Sequence, residues 1–411
     1  MADSRWIKIG GTLLVGLFIA YLDRINLSVG LPSIAKDLGF AGPGFAVTSS
    51  WALTTFLMGY AVANVFGGIL TQRFDPKWVA ICTLTIWSVS TILTGWVASV
   101  GLLLFYRLVL GVTEGIYWPQ QSRFARSWFA PHELTRANSI IQYYGQYLAL
   151  AIGFVSLTPI YNAFGWHVLF FLTGGVGLVV MIPLYGLLLG KQSEAPYQEQ
   201  KAGPQPKLTL RALGGVPFLL LVFSYIMQGM FFWGITLWIP LAVKSLGFTG
   251  GAQALGSALP YIAAIALAVP MAIISDRTGK RVLIAALGLL VAGILLILLP
   301  QVSSGYAKLA LITLALGYWA SSYTPNIWSI VQSTAEPQAV GAAAGIINGL
   351  GAGGGGTLAG FLVGLMYKYT GSYMSGFVAL GVLVILGGTA LLIYGRMMSS
   401  RGSLALGTGK A

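Results

Sequence analysis

The sequence holds 411 residues, 56% of them hydrophobic and 8% charged, with a formal net charge of +13. A soluble domain carries about 25% charged residues, so this composition excludes a water-covered surface and requires most of the outside to face lipid. The basic residues fall between apolar stretches, which excludes the single basic face of a nucleic-acid binder. The one cysteine, Cys82, excludes an intrachain disulfide, and His132 and His167 lack a second ligand at metal-binding spacing.

A membrane-crossing helix needs about 20 mostly apolar residues. On that measure twelve spans are predicted, at 8–30, 46–70, 78–98, 101–122, 137–160, 167–189, 215–242, 253–274, 282–300, 308–332, 339–366 and 373–395. The first is too long for a cleavable signal and carries Asp23 and Arg24 near its outer end. Spans three and four are joined only by Ala98 to Gly101, which predicts a tight hairpin. The polar stretch 191–213 follows span six and reads as a linker between two six-helix bundles, 1–190 and 214–411. Of the 23 lysines and arginines, 17 lie on the side of the N-terminus, against Lys36, Lys244, Lys308 and Lys368 on the other. By the positive-inside rule both termini are expected in the cytoplasm, with the chain in the cell's inner membrane.

The two halves repeat. The segment ending Gln72, Arg73, Phe74 and Asp75 after span two is echoed 204 residues later by Asp276, Arg277, Thr278 and Gly279 after span eight. Ile140, Ile141 and Gln142 in span five are echoed 206 residues later by Ile346, Ile347 and Asn348 in span eleven. Repeated halves belong to carriers whose site lies at the interface between repeats. The run 349–356 in span eleven is glycine and alanine at seven of eight positions. It lacks the Lys-Ser/Thr of a phosphate loop and no strand precedes it, so it reads as a place of close approach or bending. With no Walker motif and no cofactor signature, an ion gradient is the expected energy source.

Four charged residues lie deep within apolar spans: Asp23, Arg24, Arg107 and Glu114. Each costs at least about 2.5–3.5 kcal/mol near a helix centre, so function is the expected reason for keeping them. Their charges cancel, which suits mutual pairing in a wet cavity; the competing reading is a static salt-bridge network that fixes helix register. Tyr21, Arg24 and Ser28 share one face of helix one, and Arg107, Glu114 and Gln121 share one face of helix four. Arg24, permanently charged and forked, suits the anchoring of an anion. Asp23 and Glu114 are the candidate proton carriers, because a carboxyl group in a low-dielectric site can hold and release protons. Arg107 is a candidate ion-pair switch.

Tyr60, Gln142, Gln146, Trp328, Ser329 and Asn348 can hydrogen-bond a substrate or join helices, and Gln146 and Asn348 stand out because spans five and eleven are repeat-related. Phe231, Phe232, Trp233 and Trp238 in span seven read first as packing or belt residues, with substrate stacking as the alternative.

The twelve spans, the central linker and the loop Asp276–Arg281 resemble the major facilitator superfamily. The run Tyr21-Leu-Asp-Arg-Ile-Asn26, the run Arg107 to Pro119 and the loop Ser127 to Glu133 resemble its anion:cation symporter branch. That branch holds bacterial galactonate, glucarate and hexuronate permeases and animal vesicular glutamate and sialic acid carriers. The resemblance implies an all-α membrane protein of two pseudo-symmetric six-helix bundles, acting by alternating access without a cofactor. It implies symport of a small organic anion with protons, and the chain is expected to act as a monomer in the bilayer. Asp23 and Glu114 match coupling positions, with Arg107 as their basic partner; Tyr21, Arg24, Tyr60, Gln146, Trp328 and Asn348 match substrate positions. Arg73, Asp276 and Arg277 match the gating loops. Gln72 stands where the family usually has Asp, and Asp75-Pro76 where it has Gly and a basic residue, which predicts a weaker latch on the first half. The expected substrate is a sugar acid, with an aromatic or short-chain carboxylate, or proton-driven export, as alternatives.

Overall fold

The computed structural model describes residues 2–71, 74–130, 133, 137, 139–197, 209–335 and 339–407. Helices account for nearly all of them, and no strand occurs among the described residues. The first four are α1 Thr12–Asp37, α2 Phe45–Leu70, α3 Pro76–Thr94 and α4 Val100–Trp128. The long helix Gly145–Val176 is broken at Gly165, whose φ of 79° lies in the left-handed region open to glycine. It therefore supplies two rods, α5 (145–164) and α6 (166–188). The second group is α7 Val216–Ser245, α8 Gly250–Thr278, α9 Arg281–Ile297, α10 Gly305–Thr334, α11 (340–370) and α12 Tyr373–Gly407.

Ten of the described helical stretches are long and apolar enough to cross a membrane. The Gly165 break turns one of these, Gly145–Glu194, into two crossings, and the more polar α10 brings the number of rods to twelve. Helix α1 continues seven residues past its predicted end at 30 and runs through Pro32. A proline is tolerated inside a membrane helix where neighbouring helices satisfy the freed backbone. The extra turns are tied down by Trp166, whose Nε1 donates to Asp37 Oδ2 at 2.7 Å. The predicted hairpin between α3 and α4 is present, with the Ser99 side chain capping α4 through the Leu102 N–H.

Helices α1 to α6 pack mainly on one another, and α7 to α12 do the same. Small residues set the spacing, because lipid supplies no hydrophobic drive between helices and close backbone approach must replace it. A Cβ on Gly115 of α4 would lie 2.8 Å from both the Tyr60 carbonyl oxygen and the Ala63 Cβ of α2. Between the halves, α11 rides along α2: a Cβ on Gly349, Gly353 or Gly356 would lie 2.5–2.8 Å from Val65, Ala61 or Leu57. The stretch Gly349–Gly355 is π-helical, and its alternate members Gly351 and Gly355 face Tyr225 and Ile226 of α7. The second seam joins α5 to α8, where the Phe154 and Tyr261 rings stack at 5.8 Å and Tyr143 donates to the Ala264 carbonyl at 3.0 Å.

Asp75, the departure from the loop pattern, has a structural task. One carboxylate oxygen caps α3 by accepting from the Lys77 N–H at 2.9 Å, and the other accepts from the Gln192 N–H at 2.9 Å. Arg123 joins the same knot through the carbonyls of Thr71 and Phe74 and the side chain of Gln192. The start of the linker is thus bound to the loop after α2.

Gly115→Val should lower the stability of the detergent-solubilised protein by about 1–3 kcal/mol, the usual cost of overpacking. Thermal melting checks it, with Gly251→Ala as the control, since nothing lies within 4 Å of a Cβ at Gly251.

Candidate functional site

The four charged residues of the spans gather between α1 and α4. Asp23, Arg24, Arg107 and Glu114 are 0%, 2%, 1% and 1% exposed. Arg24 Nε donates to Glu114 Oε2 at 2.6 Å, a charge-assisted bond across the two helices. Gln121, a further two turns along α4, donates to the Tyr117 hydroxyl, which in turn meets Tyr185 of α6.

Arg107 behaves differently from the expectation that it pairs with an acid. Its Nη1 donates to the main-chain carbonyl of Asp23 at 3.1 Å, and no ion pair forms between Arg107 and a carboxylate. For Glu114 the reason is axial distance, since it lies seven residues from Arg107 on one helix, about 10 Å along its axis; toward Asp23 the guanidinium reaches the main chain rather than the carboxylate. Both carboxylate oxygens of Asp23, Oε1 of Glu114 and Nε and Nη2 of Arg107 form no hydrogen bond with described protein atoms. Buried polar atoms are normally satisfied. An unsatisfied set around two acids and a base is a site with unused capacity for protons or ligand.

Aromatic rings surround the Arg24 guanidinium. Its carbon lies 4.2 Å from the ring centre of Tyr21, 5.1 Å from Tyr60, 5.4 Å from Phe56 and 5.7 Å from Trp233. Such faces attract a cation through their quadrupoles and restrict the directions from which a ligand can reach it. Trp233 comes from α7, and its ring is parallel to that of Tyr21 at 6.2 Å. The second half thus closes over the first half's arginine. Two turns from Trp233 along α7, Tyr225 meets Trp328 of α10 at 5.6 Å.

Asn348 of α11 donates to Asn64 of α2 at 3.3 Å, across the two halves. Tyr21, Arg24, Tyr60, Glu114 and Arg107 are thus drawn together, and Asn348 joins them through α2, one turn from Tyr60. Gln146 is half-buried and makes no side-chain hydrogen bond among the described residues. Trp328 is half-buried on the far wall. The side chains of Gln142, Ser329 and Asp276 and all of Arg73 lie outside the described residues, and Arg277 is exposed at the end of α8. Sequence reasoning missed Phe56 and ranked Trp233 as packing. The available signals were position: Phe56 is one helical turn from Tyr60, and Trp233 sits at mid-span, away from the interfacial belts that membrane tryptophans favour.

The sequence model described as the Major Facilitator Superfamily matches residues 13–360. The chain belongs to that superfamily. The family is one of transporters, so the chain is a multi-pass membrane transporter and not an enzyme. It is 30% identical over 410 residues to a probable sulfoacetate transporter of Cupriavidus necator, covering 95% of this chain and 94% of that one. It is 25% identical to a probable galactarate/D-glucarate transporter of Escherichia coli K12, covering 91% and 89%. A putative tartrate transporter of Agrobacterium vitis is 22% identical, covering 94% and 92%. Among solved structures, a bacterial homolog of the human lysosomal transporter Spinster matches with a TM-score of 0.72 at 14% identity, covering 94% of this chain and 96% of that one. That likeness is one of fold.

Removing one member of the buried pair should cost more than removing both. Arg24→Leu and Glu114→Leu are each expected to destabilise the protein by about 3–5 kcal/mol, and the Arg24→Leu/Glu114→Leu double variant by clearly less. Thermal unfolding of the four proteins in one detergent checks this; additive losses would mean that the two side chains are not coupled.

Proposed function

We propose that this transporter takes up a small organic anion together with protons, by alternating access of its two halves. The observation that carries the reading is the buried Arg24–Glu114 pair. An anionic head group competes with Glu114 for the guanidinium, and a proton on Glu114 removes the competitor. Substrate and proton therefore favour each other's binding, which is the thermodynamic content of coupling. Asp23 is the second proton carrier, and Arg107, held on the Asp23 main chain, keeps a positive charge beside it. The relatives named as sulfoacetate, galactarate/glucarate and tartrate transporters support an organic acid as cargo.

The aromatic enclosure favours a compact, short-chain acid over a six-carbon sugar acid. Four ring faces around Arg24 offer few hydrogen bonds to a chain of hydroxyls. Tyr60, Asn348, Gln146 and Trp328 are the polar-bearing groups offered to the substrate, and Gln142 and Ser329 are assigned to it from the sequence alone.

The moving bodies are residues 1–190 and 214–411, joined by the linker 191–213. The glycine-lined seam between α2 and α11 and the seam between α5 and α8 are the surfaces that open and close. Arg73, Asp276 and Arg277 at the ends of α2 and α8 gate the terminus-bearing face. The surplus of Lys and Arg on that face supports cytoplasmic termini and an inner-membrane location, and the carrier acts as a monomer. If more than one proton enters per monoanion, uptake is electrogenic and gains about 2.3 kcal/mol per net charge per 100 mV.

Purified protein in liposomes should accumulate labelled sulfoacetate, tartrate or D-glucarate when the outside is made acidic, and only equilibrate without a gradient. Accumulation independent of the gradient would remove proton coupling. Arg24→Lys should weaken binding about tenfold or more, because an ammonium cannot fork onto the head group. Glu114→Gln should abolish uphill accumulation and spare exchange of labelled for unlabelled acid; intact uphill uptake in that variant assigns coupling elsewhere.

A further inference from the structure

Beyond Arg24, toward the helix ends at Asp37, Gly165 and Ser245, the structure holds a second pocket of about 150 Å³. Its walls include Ser28 and Pro32 of α1, Thr158 and Tyr161 of α5, Lys244 of α7 and Gln253 of α8. It thus lies between the two halves, on the face opposite the chain termini. Ser28 is one helical turn from Arg24, about 6 Å along α1. The volume equals about five water molecules, the room needed by the head and a few carbons of a compact acid.

Two observations mark this pocket as a binding site. Ser28 is fully buried, and its Oγ makes no hydrogen bond with described protein atoms although it lines the pocket. Lys244 stands exposed at the mouth, and its side chain makes no hydrogen bond or ion pair among the described residues. The pocket lining contains no acid, so the lysine's charge is not offset locally. Two hydrogen bonds hold the walls: Tyr161 bonds Ser33, outside the lining, at 2.7 Å, and Gln253 Nε2 donates to the carbonyl of Pro240, another wall residue, at 3.0 Å. The bland account of Lys244 is a cation in the last turn of α7, favoured by the helix C-terminus. That explains its charge, and leaves the unpartnered buried hydroxyl of Ser28 unexplained.

We propose that this pocket is an outer subsite for the transported anion, resting on the transport reading above. Lys244 Nζ captures the carboxylate or sulfonate head at the mouth, Ser28 Oγ hydrogen-bonds it at the floor, and the head then passes one turn along α1 to Arg24. The two bases divide the work by their chemistry. A mobile ammonium holds an anion as a point charge and releases it readily, whereas the guanidinium fork fixes it. A single-sign charge at the mouth of a low-dielectric cleft also raises the rate of anion arrival.

Initial uptake of labelled sulfoacetate and D-glucarate, measured in vesicles of zwitterionic phosphatidylcholine with fixed protein orientation, tests the subsite. Lys244→Gln should raise KM for anion presented at the Lys244 face about tenfold while Vmax stays within about twofold. Lys244→Arg, which keeps the charge and adds the fork, should leave KM at or below the wild-type value, and added salt should shrink the difference between wild type and Lys244→Gln. Ser28→Ala should raise KM in the same direction, and KM for transport from the opposite face should not change in any variant. Wild-type uptake with an unchanged KM in Lys244→Gln overturns the subsite alone. So does an equal KM change from both faces, which marks a structural effect, or a change seen only with anionic lipid, which marks a headgroup contact. Failure of the wild type to carry any acid of the panel ends the transport reading, and the subsite with it.

Discussion

The constraint on which this protein depends is the burial of charge inside a bilayer. Arg24 and Glu114 each lose their hydration, and their mutual bond at 2.6 Å offsets that loss only because the geometry is close. The same part of α4 packs closely on α2 through Gly111 and Gly115, which meet the main chain of Phe56 and Tyr60. A structure so arranged is stable as a pair and unstable as either member alone. That property suits a carrier, because a ligand or a proton that replaces one partner changes the balance of the whole site.

The site is asymmetric between the halves. All four buried charges belong to α1 and α4, while α7, α10 and α11 contribute rings and amides. The second half touches the first half's charge through the face of Trp233. A ring can be withdrawn from a guanidinium without breaking a salt bridge, so the halves can part at small electrostatic cost. The surfaces that would part have the same character. Along the α2–α11 seam, glycines of α11 meet Val65, Ala61, Leu57, Thr54 and Ser50 of α2, one amide pair joins Asn64 to Asn348, and no ion pair forms among the described residues.

The π-helical stretch Gly349–Gly355 lies at the meeting of these features. Its glycines face α2 on one side and α7 on the other, so one short segment bridges the α2–α11 seam and the helix that carries Trp233. The absence of side chains lets both neighbours approach the α11 backbone. The same absence leaves that backbone the easiest place in the helix to bend.

Composition and hydropathy determined much of this by themselves. A chain with 8% charged residues must put its backbone into helices across lipid, so the twelve spans and their even number are legible without coordinates. The rarity of charge in such spans made Asp23, Arg24, Arg107 and Glu114 visible, because each departs from a strong physical preference. The neutral members of the site were not legible in the same way: Phe56 and Trp233 are apolar residues among many apolar residues, and only their distance to Arg24 sets them apart. The partner of Arg107 was also out of reach, since helical periodicity assigns a face and says nothing of whether a side chain meets a carboxylate or a main-chain carbonyl. Likewise, Lys244 and Ser28 lie 216 residues apart on different halves. Sequence spacing describes neighbours on one helix, and the contact of one half with the other, which makes both the ring enclosure and the outer pocket, exists only in the tertiary structure.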